Sequence, residues 1–217
     1  MYRMLLQLPL FQGLNKKDFT EIIGKVTFHF QTIEANKTLI NQGDDCNHLL
    51  FVLSGKVDME TVSPCQTFTI QELIETPTLI EAQALFGLTP QYCSSYTTVE
   101  ETKILTIDKK YLLSHLMRYP IFELNYLNII SCKTHNQYNQ LWYKVNSNKL
   151  LERFKRFIIQ HTESLNNSIT INVTMEDLAI QLNDTRLNVS RMLNKLKEKK
   201  LIELKRKSIF IPKFMKL

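Results

Sequence analysis

The 217-residue chain has no run of about 18 apolar residues, so no membrane-spanning helix is expected. Its start, Met1 to Phe11, carries one Arg and a short apolar run but no small-residue cleavage site, so no signal peptide is expected. Cysteine is scarce. Cys46, Cys65, Cys93 and Cys132 are widely spaced and form no C-x-x-C pair, which suits reduced thiols in a cytosolic protein. The same spacing argues against a metal or iron–sulfur centre, which needs ligands at short intervals. His29, His48, His115, His135 and His161 offer no close H-x-H pair, which disfavours a metal-dependent enzyme on a β-roll. No nucleophile elbow, phosphate loop or catalytic dyad is present, and no enzyme activity or cofactor is expected.

Cations are missing in one place and crowded in another. No Lys or Arg stands between Lys56 and Lys103. The net charge is +6, but Asn183 to Leu217 alone holds eleven Lys/Arg against three acids, a surplus of +8. The preceding part of the chain is therefore at −2. A basic end on a slightly acidic body suggests a localised polyanion site, although a solvated Lys-rich helix would have the same charge.

Three zones follow one another without repeats or low-complexity tracts. The first opens with a short helix, Asn15 to Lys25, with Asn15 as N-cap and Asp18 three residues on. After it come short β-branched and aromatic segments at Val26–Glu34, Thr38–Ile40, His48–Leu53, Val57–Val62, Thr67–Leu73, Ser95–Val99 and Lys103–Ile107. Turn signals at Asn36, Gly43-Asp44, Ser54-Gly55, Ser63-Pro64, Pro77 and Thr89-Pro90 separate them. The fold class is α+β, with an antiparallel β-roll or jelly-roll over residues 1–118.

The second zone, residues 119–146, is helical. Asp108 is placed to cap a helix through Lys109–Tyr119, and Pro120 fits the first turn of a longer one. Leu124, Leu127, Ser131, Thr134, Tyr138, Leu141 and Val145 step alternately by three and four, which is an a/d seam. This seam suits a homodimer, and its polar middle, Ser131 and Thr134, suits register control or a ligand. The alternative is a helix packed on its own domain.

The third zone, residues 147–217, begins at a cap near Asn146-Ser147, with a helix from Asn148 to about Glu163 and a strand over Ile169–Val173. Thr174 then caps a helix running to Leu182, with Asp177 three residues on. Asn183 serves a tight turn that needs positive φ. Asp184 or Thr185 caps a second helix from about Arg186 to Lys199. Small Ala179 and branched Val189 sit where two steeply crossed helices would touch, with Leu178, Leu182, Met192 and Leu193 around them. Two apolar segments, Leu201–Leu204 and Ser208–Ile211, flank the basic turn Lys205-Arg206-Lys207 and read as a wing.

The candidate DNA-contacting residues are Thr174, Thr185, Arg186, Leu187, Asn188, Ser190, Arg191, Lys195, Lys205, Arg206 and Lys207. Arg186 and Arg191 suit guanine edges, or alternatively a phosphate or a surface ion pair. Asn188 suits adenine or a phosphate, and Thr185, Ser190 and Lys195 suit the DNA backbone.

Several segments carry a resemblance to the Crp/Fnr regulators over nearly the whole chain. Pro9–Leu14, Gln42-Gly43-Asp44 and Leu50–Val57 resemble that family's β-roll signatures. Thr174–Ala179 and Thr185–Leu193 resemble its DNA-reading motif. The resemblance implies a cytoplasmic homodimer that reads a palindromic operator, with a small-molecule effector and RNA polymerase as further partners.

The chain departs from the family pattern in two places. Leu187 stands where Glu is common, so the target should differ from the usual family sites. Relatives that bind cyclic AMP use a Gly-Glu-Leu turn and a later Arg-Ser pair; here Ile80-Glu81-Ala82 and Tyr92-Cys93-Ser94-Ser95 stand instead. A buried phosphate needs a cation or several aimed N–H groups, so cyclic AMP is not the expected ligand. Glu81, Tyr92, Cys93 and Ser94, with Ser131 and Thr134, are the candidate effector-pocket residues. The competing reading is a ligand-binding signalling module whose helical end binds protein.

Overall fold

The computed structural model describes residues 5–6, 8–142 and 149–217. The elements are α1 (Lys16–Lys25), β1 (His29–Ile33), β2 (Thr38–Ile40), β3 (His48–Ser54), β4 (Val57–Val62), β5 (Phe68–Ile74), β6 (Thr78–Ile80), β7 (Ser95–Thr98), β8 (Thr102–Asp108), α2 (Lys109–Ser114), α3 (Pro120–Leu141), α4 (Leu150–His161), β9 (Ile169–Val173), α5 (Met175–Gln181), α6 (Arg186–Glu198), β10 (Glu203–Lys205) and β11 (Ser208–Ile211). They form two compact units. One comprises Met1–Val57 with Glu75–Asn136, the other Asp58–Ile74 with Gln137–Leu217.

In the first unit an antiparallel sheet runs in the order β1-β8-β3-β6, and β2 pairs with β7. Strand β3 reads as an unbroken apolar run because Leu49 to Val52 are all buried, so both its faces are covered. Phe11 sits beneath it with Phe51, and meets Phe122 of α3 edge-on at 5.3 Å between ring centres. The turn between β3 and β4 depends on Gly55, whose φ is +101°. A Cβ there would lie 2.8 Å from the Glu101 carbonyl oxygen and 2.8 Å from Thr102 Cα, so only glycine fits.

The expected elements appear with shifted ends. Asn15 caps α1 by accepting the Asp18 N–H at 2.8 Å. The first strand is shorter than Val26–Glu34, and the fifth is moved by one residue at each end. The helix expected over Lys109–Tyr119 stops at Ser114 and gives way to a 3-10 turn at Leu116–Arg118. Asp108 holds the cap position without a side-chain capping bond and lies 3.5 Å from Lys110 instead. Strand β6, after Pro77, has no counterpart among the expected segments, since three residues are too few to show a period. Val145 and the cap at Asn146-Ser147 lie outside the described residues. The helix expected from Asn148 begins at Leu150.

In the second unit the strands run β10-β11-β9-β5-β4. The wing strands β10 and β11 continue into β9, and β9 pairs antiparallel with β5 from Phe68↔Val173 to Glu72↔Ile169. A hairpin from the amino-terminal zone is thus part of the carboxyl-terminal sheet. Strand β5 alternates strictly, with Phe68, Ile70, Glu72 and Ile74 inward. Phe68 meets Phe157 edge-on at 5.0 Å, and with Ile70 joins the core of Phe154, Ile158, Ile169, Ile171, Leu178, Val189 and Leu193.

Glu72 is the exception on that inward face. Its fully buried carboxylate accepts the backbone N–H groups of Glu163 at 2.6 Å and Ser164 at 3.0 Å, with the Asn167 amide at 3.5 Å. These bonds satisfy a charge that burial would otherwise expel. Burial still outweighs them, and the carboxyl is held above its ordinary value. No helix among the described residues is long and apolar enough to cross a membrane.

Candidate nucleic-acid interface

The pair α5 and α6 stands on the core just described. Leu178, Ala179, Leu182, Val189 and Leu193 are buried, as their spacing predicts, and Met192 packs partly buried beside them. Thr174 caps α5: its hydroxyl accepts the Asp177 N–H at 3.1 Å and donates to the Asp177 carboxylate at 2.6 Å. The chain then reverses through Asn183 at φ +48°, a left-handed conformation that Asn tolerates better than most residues. Of the two cap candidates for α6, Thr185 is the N-cap, accepting the Asn188 N–H at 3.3 Å.

Asp184 has another task. One carboxylate oxygen accepts both the Thr185 N–H and the Asn188 side-chain Nδ2, each at 2.8 Å. The other pairs with the guanidinium of Arg153 on α4, which also donates to the Asn183 carbonyl at 2.9 Å. The Asn188 amide, the Thr185 N–H and the Arg153 cation together hold the Asp184 carboxyl below its ordinary value. Arg153 lies outside the two-helix motif, so the spacing of that motif gives no signal for it.

The outward side of α6 is exposed at Arg186, Leu187, Asn188, Arg191 and Lys195, while Ser190 is half-buried. Leu187 is 58% exposed, an uncovered apolar group beside cations. Arg186 pairs with Glu176 of α5 at 3.0 Å, both ends well exposed. This is the surface ion pair that the sequence left open as one alternative, and such a pair is weak and exchangeable. Arg191 is exposed with no ion pair of its own among the described residues. Lys205, Arg206 and Lys207 are exposed at the β10–β11 turn, which Lys207 closes at φ +56°. The DNA candidates therefore share one domain, with their apolar neighbours in the core.

The structure treats the effector candidates unevenly. Glu81, at φ +33° and buried, precedes the 3-10 turn Ala82–Leu85. Its carboxylate accepts the N–H of Cys93 at 2.8 Å, the N–H of Ser94 at 3.0 Å and the Tyr96 hydroxyl at 2.9 Å. Glu81, Cys93 and Ser94 are thus brought together, and Tyr96 joins them through its hydroxyl. Tyr92 is buried next to them, its hydroxyl donating to the His48 carbonyl at 3.3 Å, and burial raises its phenol well above the ordinary range. Ser131 and Thr134 lie exposed on α3, and no hydrogen bond joins them to Glu81 among the described residues.

Comparisons with known proteins bear on both halves. The cyclic nucleotide-binding domain matches residues 30–119, and the Crp-like helix-turn-helix domain matches residues 150–217. A search of curated proteins finds no significant match. The fold resembles the catabolite activator protein of Thermus thermophilus, at 18% identity and a TM-score of 0.51, over 96% of this chain and 95% of that one. It also resembles the sensor domain of the transcriptional regulator DNR from Pseudomonas aeruginosa, at 16% identity and a TM-score of 0.51, over 68% of this chain and 99% of that one. With a cyclic nucleotide-binding domain followed by a Crp-like helix-turn-helix, on a fold shared with solved proteins of that architecture, the chain belongs to the Crp/Fnr family of DNA-binding regulators.

Proposed function

We propose that the chain acts as a homodimer on a palindromic operator, with α6 in the major groove and the wing turn on phosphates. The observation that carries this reading is the division of α6. Val189, Leu193 and Leu196 are buried, while Arg186, Arg191 and Lys195 face solvent, as do Lys205, Arg206 and Lys207 of the wing turn. Arg191 and Arg186 suit guanine edges, and Leu187 suits a thymine methyl. Thr185, Ser190, Lys195, Thr174 and the wing suit the backbone.

In this reading residues 1–118 form the sensor, 119–146 the dimer helix and 147–217 the reader, with β4–β5 lent to the reader's sheet. Leu124, Leu127, Tyr138 and Leu141 are 57%, 53%, 56% and 69% exposed along α3, which supports burial against a second copy. Any ligand that the sensor takes is other than cyclic AMP. No cation stands between Lys56 and Lys103, and both Glu81 oxygens are already occupied by Cys93, Ser94 and Tyr96. Ligand occupancy would shift the population of dimers whose readers fit successive major grooves, and RNA polymerase in the cytoplasm is the downstream partner. Selection of bound duplexes from a random DNA pool tests this. An enriched inverted repeat with steeply salt-dependent affinity is expected, and salt-independent or sequence-blind binding would refute it.

A further inference from the structure

We infer that Arg153 is a positioning residue for base reading, and that the group it positions, the Asn188 side-chain amide, reads adenine. The inference rests on α6 being the DNA-reading helix, and assigns one contact within it.

Asn188 lies in the first turn of α6, on its exposed side. One Nδ2 hydrogen goes to Asp184 at 2.8 Å. The second Nδ2 hydrogen and the carbonyl oxygen Oδ1 remain. That remainder, one donor and one acceptor in one plane, matches the N7 acceptor and N6 donor of adenine in the major groove. A free Asn side chain can turn its amide either way round; one held at Nδ2 cannot without losing that bond.

Asp184 can hold the amide only if it is itself held. Its second oxygen is taken by Arg153, whose side chain is 21% exposed against 16% for the aspartate, so the pair is sheltered from solvent. Arg153 also grips the carbonyl of Asn183, the residue whose left-handed conformation makes the turn. The buried Arg153 Nε has no hydrogen-bond partner, so the two Nη groups anchor the guanidinium. Arginine alone supplies two donors in a rigid fork here; lysine would reach the carboxylate or the carbonyl as a point charge. The chain of contacts runs from α4, through the turn, to a side chain on the reading face.

Two measurements on the full-length protein test the proposal. The first needs no DNA. The Asn188 side-chain amide should give two well-separated, slowly reorienting N–H signals by NMR, collapsing towards a free amide in Arg153→Met and Asp184→Ala. The second uses duplexes selected by the unmutated protein. Asn188→Ala should lose roughly tenfold discrimination for adenine at one position per half-site. Arg153→Met should lose several-fold at that position alone, leave the salt dependence unchanged, and be partly rescued by Arg153→Lys. Equal weakening by Arg153→Met at every base position would make Arg153 merely structural and overturn the inference. So would an adenine preference that survives Asn188→Ala. A pool yielding no enriched sequence overturns it through its premise; an Asn188 amide still locked in solution tells that failure apart from a broken relay.

Discussion

Glu72 and Ser164 are joined by a hydrogen bond of 3.0 Å from the Ser164 N–H to the buried carboxylate. The bond ties strand β5, from the amino-terminal zone, to the loop that follows α4. Glu72→Ala would remove the carboxylate that accepts the part-buried N–H groups of Glu163 and Ser164. The expected cost is about 1–3 kcal/mol, read by chemical denaturation, with faster hydrogen exchange at those two amides. Unchanged stability would show that water replaces the carboxylate at no cost.

Two carboxyls give opposite signs of pH dependence. Asp184 is depressed, so its contribution to stability is present above its unfolded pKa and is lost as pH falls through the lower folded value. Glu72 is raised, so the folded state takes up its proton first, and stability gains from it as pH falls from the folded value towards the unfolded one. Thermal melts against pH should therefore show Asp184→Asn losing less than the parent at acid pH. Glu72→Gln should lack the gain on approach to the ordinary carboxylate range. Parallel curves for parent and variants would contradict both signs.

Backbone conformation makes two sites intolerant. At Asn183, glycine should be accepted, whereas Asn183→Val should cost about 1–2 kcal/mol because a branched Cβ resists φ > 0. Gly55→Ala should cost more than about 1 kcal/mol, since the added Cβ would meet the Thr102 hydroxyl at 2.6 Å and, at 2.8 Å, backbone atoms of Glu101 and Thr102 that cannot yield. Urea midpoints for these variants measure both.

Arg191→Ala should cost roughly 1–3 kcal/mol of sequence discrimination if the guanidinium forks onto a base. Replacing Lys205, Arg206 and Lys207 together should instead weaken all sequences alike and flatten the salt dependence. Competition gel shifts with selected and random duplexes separate the two. Equal losses for Arg191→Ala on both duplexes would reassign it to phosphate.

The dimer is tested on α3. Leu127→Glu places a charge on the exposed apolar row, and sedimentation should show monomers that bind DNA weakly. A dimer that persists would place the interface elsewhere.

Local pattern accounts for much of this protein. The caps at Asn15, Thr174 and Thr185, the left-handed turn at Asn183, the helix pair locked by Ala179 and Val189, and the basic wing turn all depend on residues within a few positions of each other. Their physics is short-range, so order along the chain is enough to read them. The partners of Glu72 and Arg153 could not be read that way. Glu72 bonds residues more than ninety positions away, and Arg153 reaches 31 positions to Asp184. A hint existed for Glu72, a carboxylate on the inward beat of an alternating strand, but the alternation says only that it must be satisfied. Which donors do so, and which sheet claims β5, depended on how distant segments pack, because a buried charge accepts any geometry that returns the hydrogen bonds it loses from water.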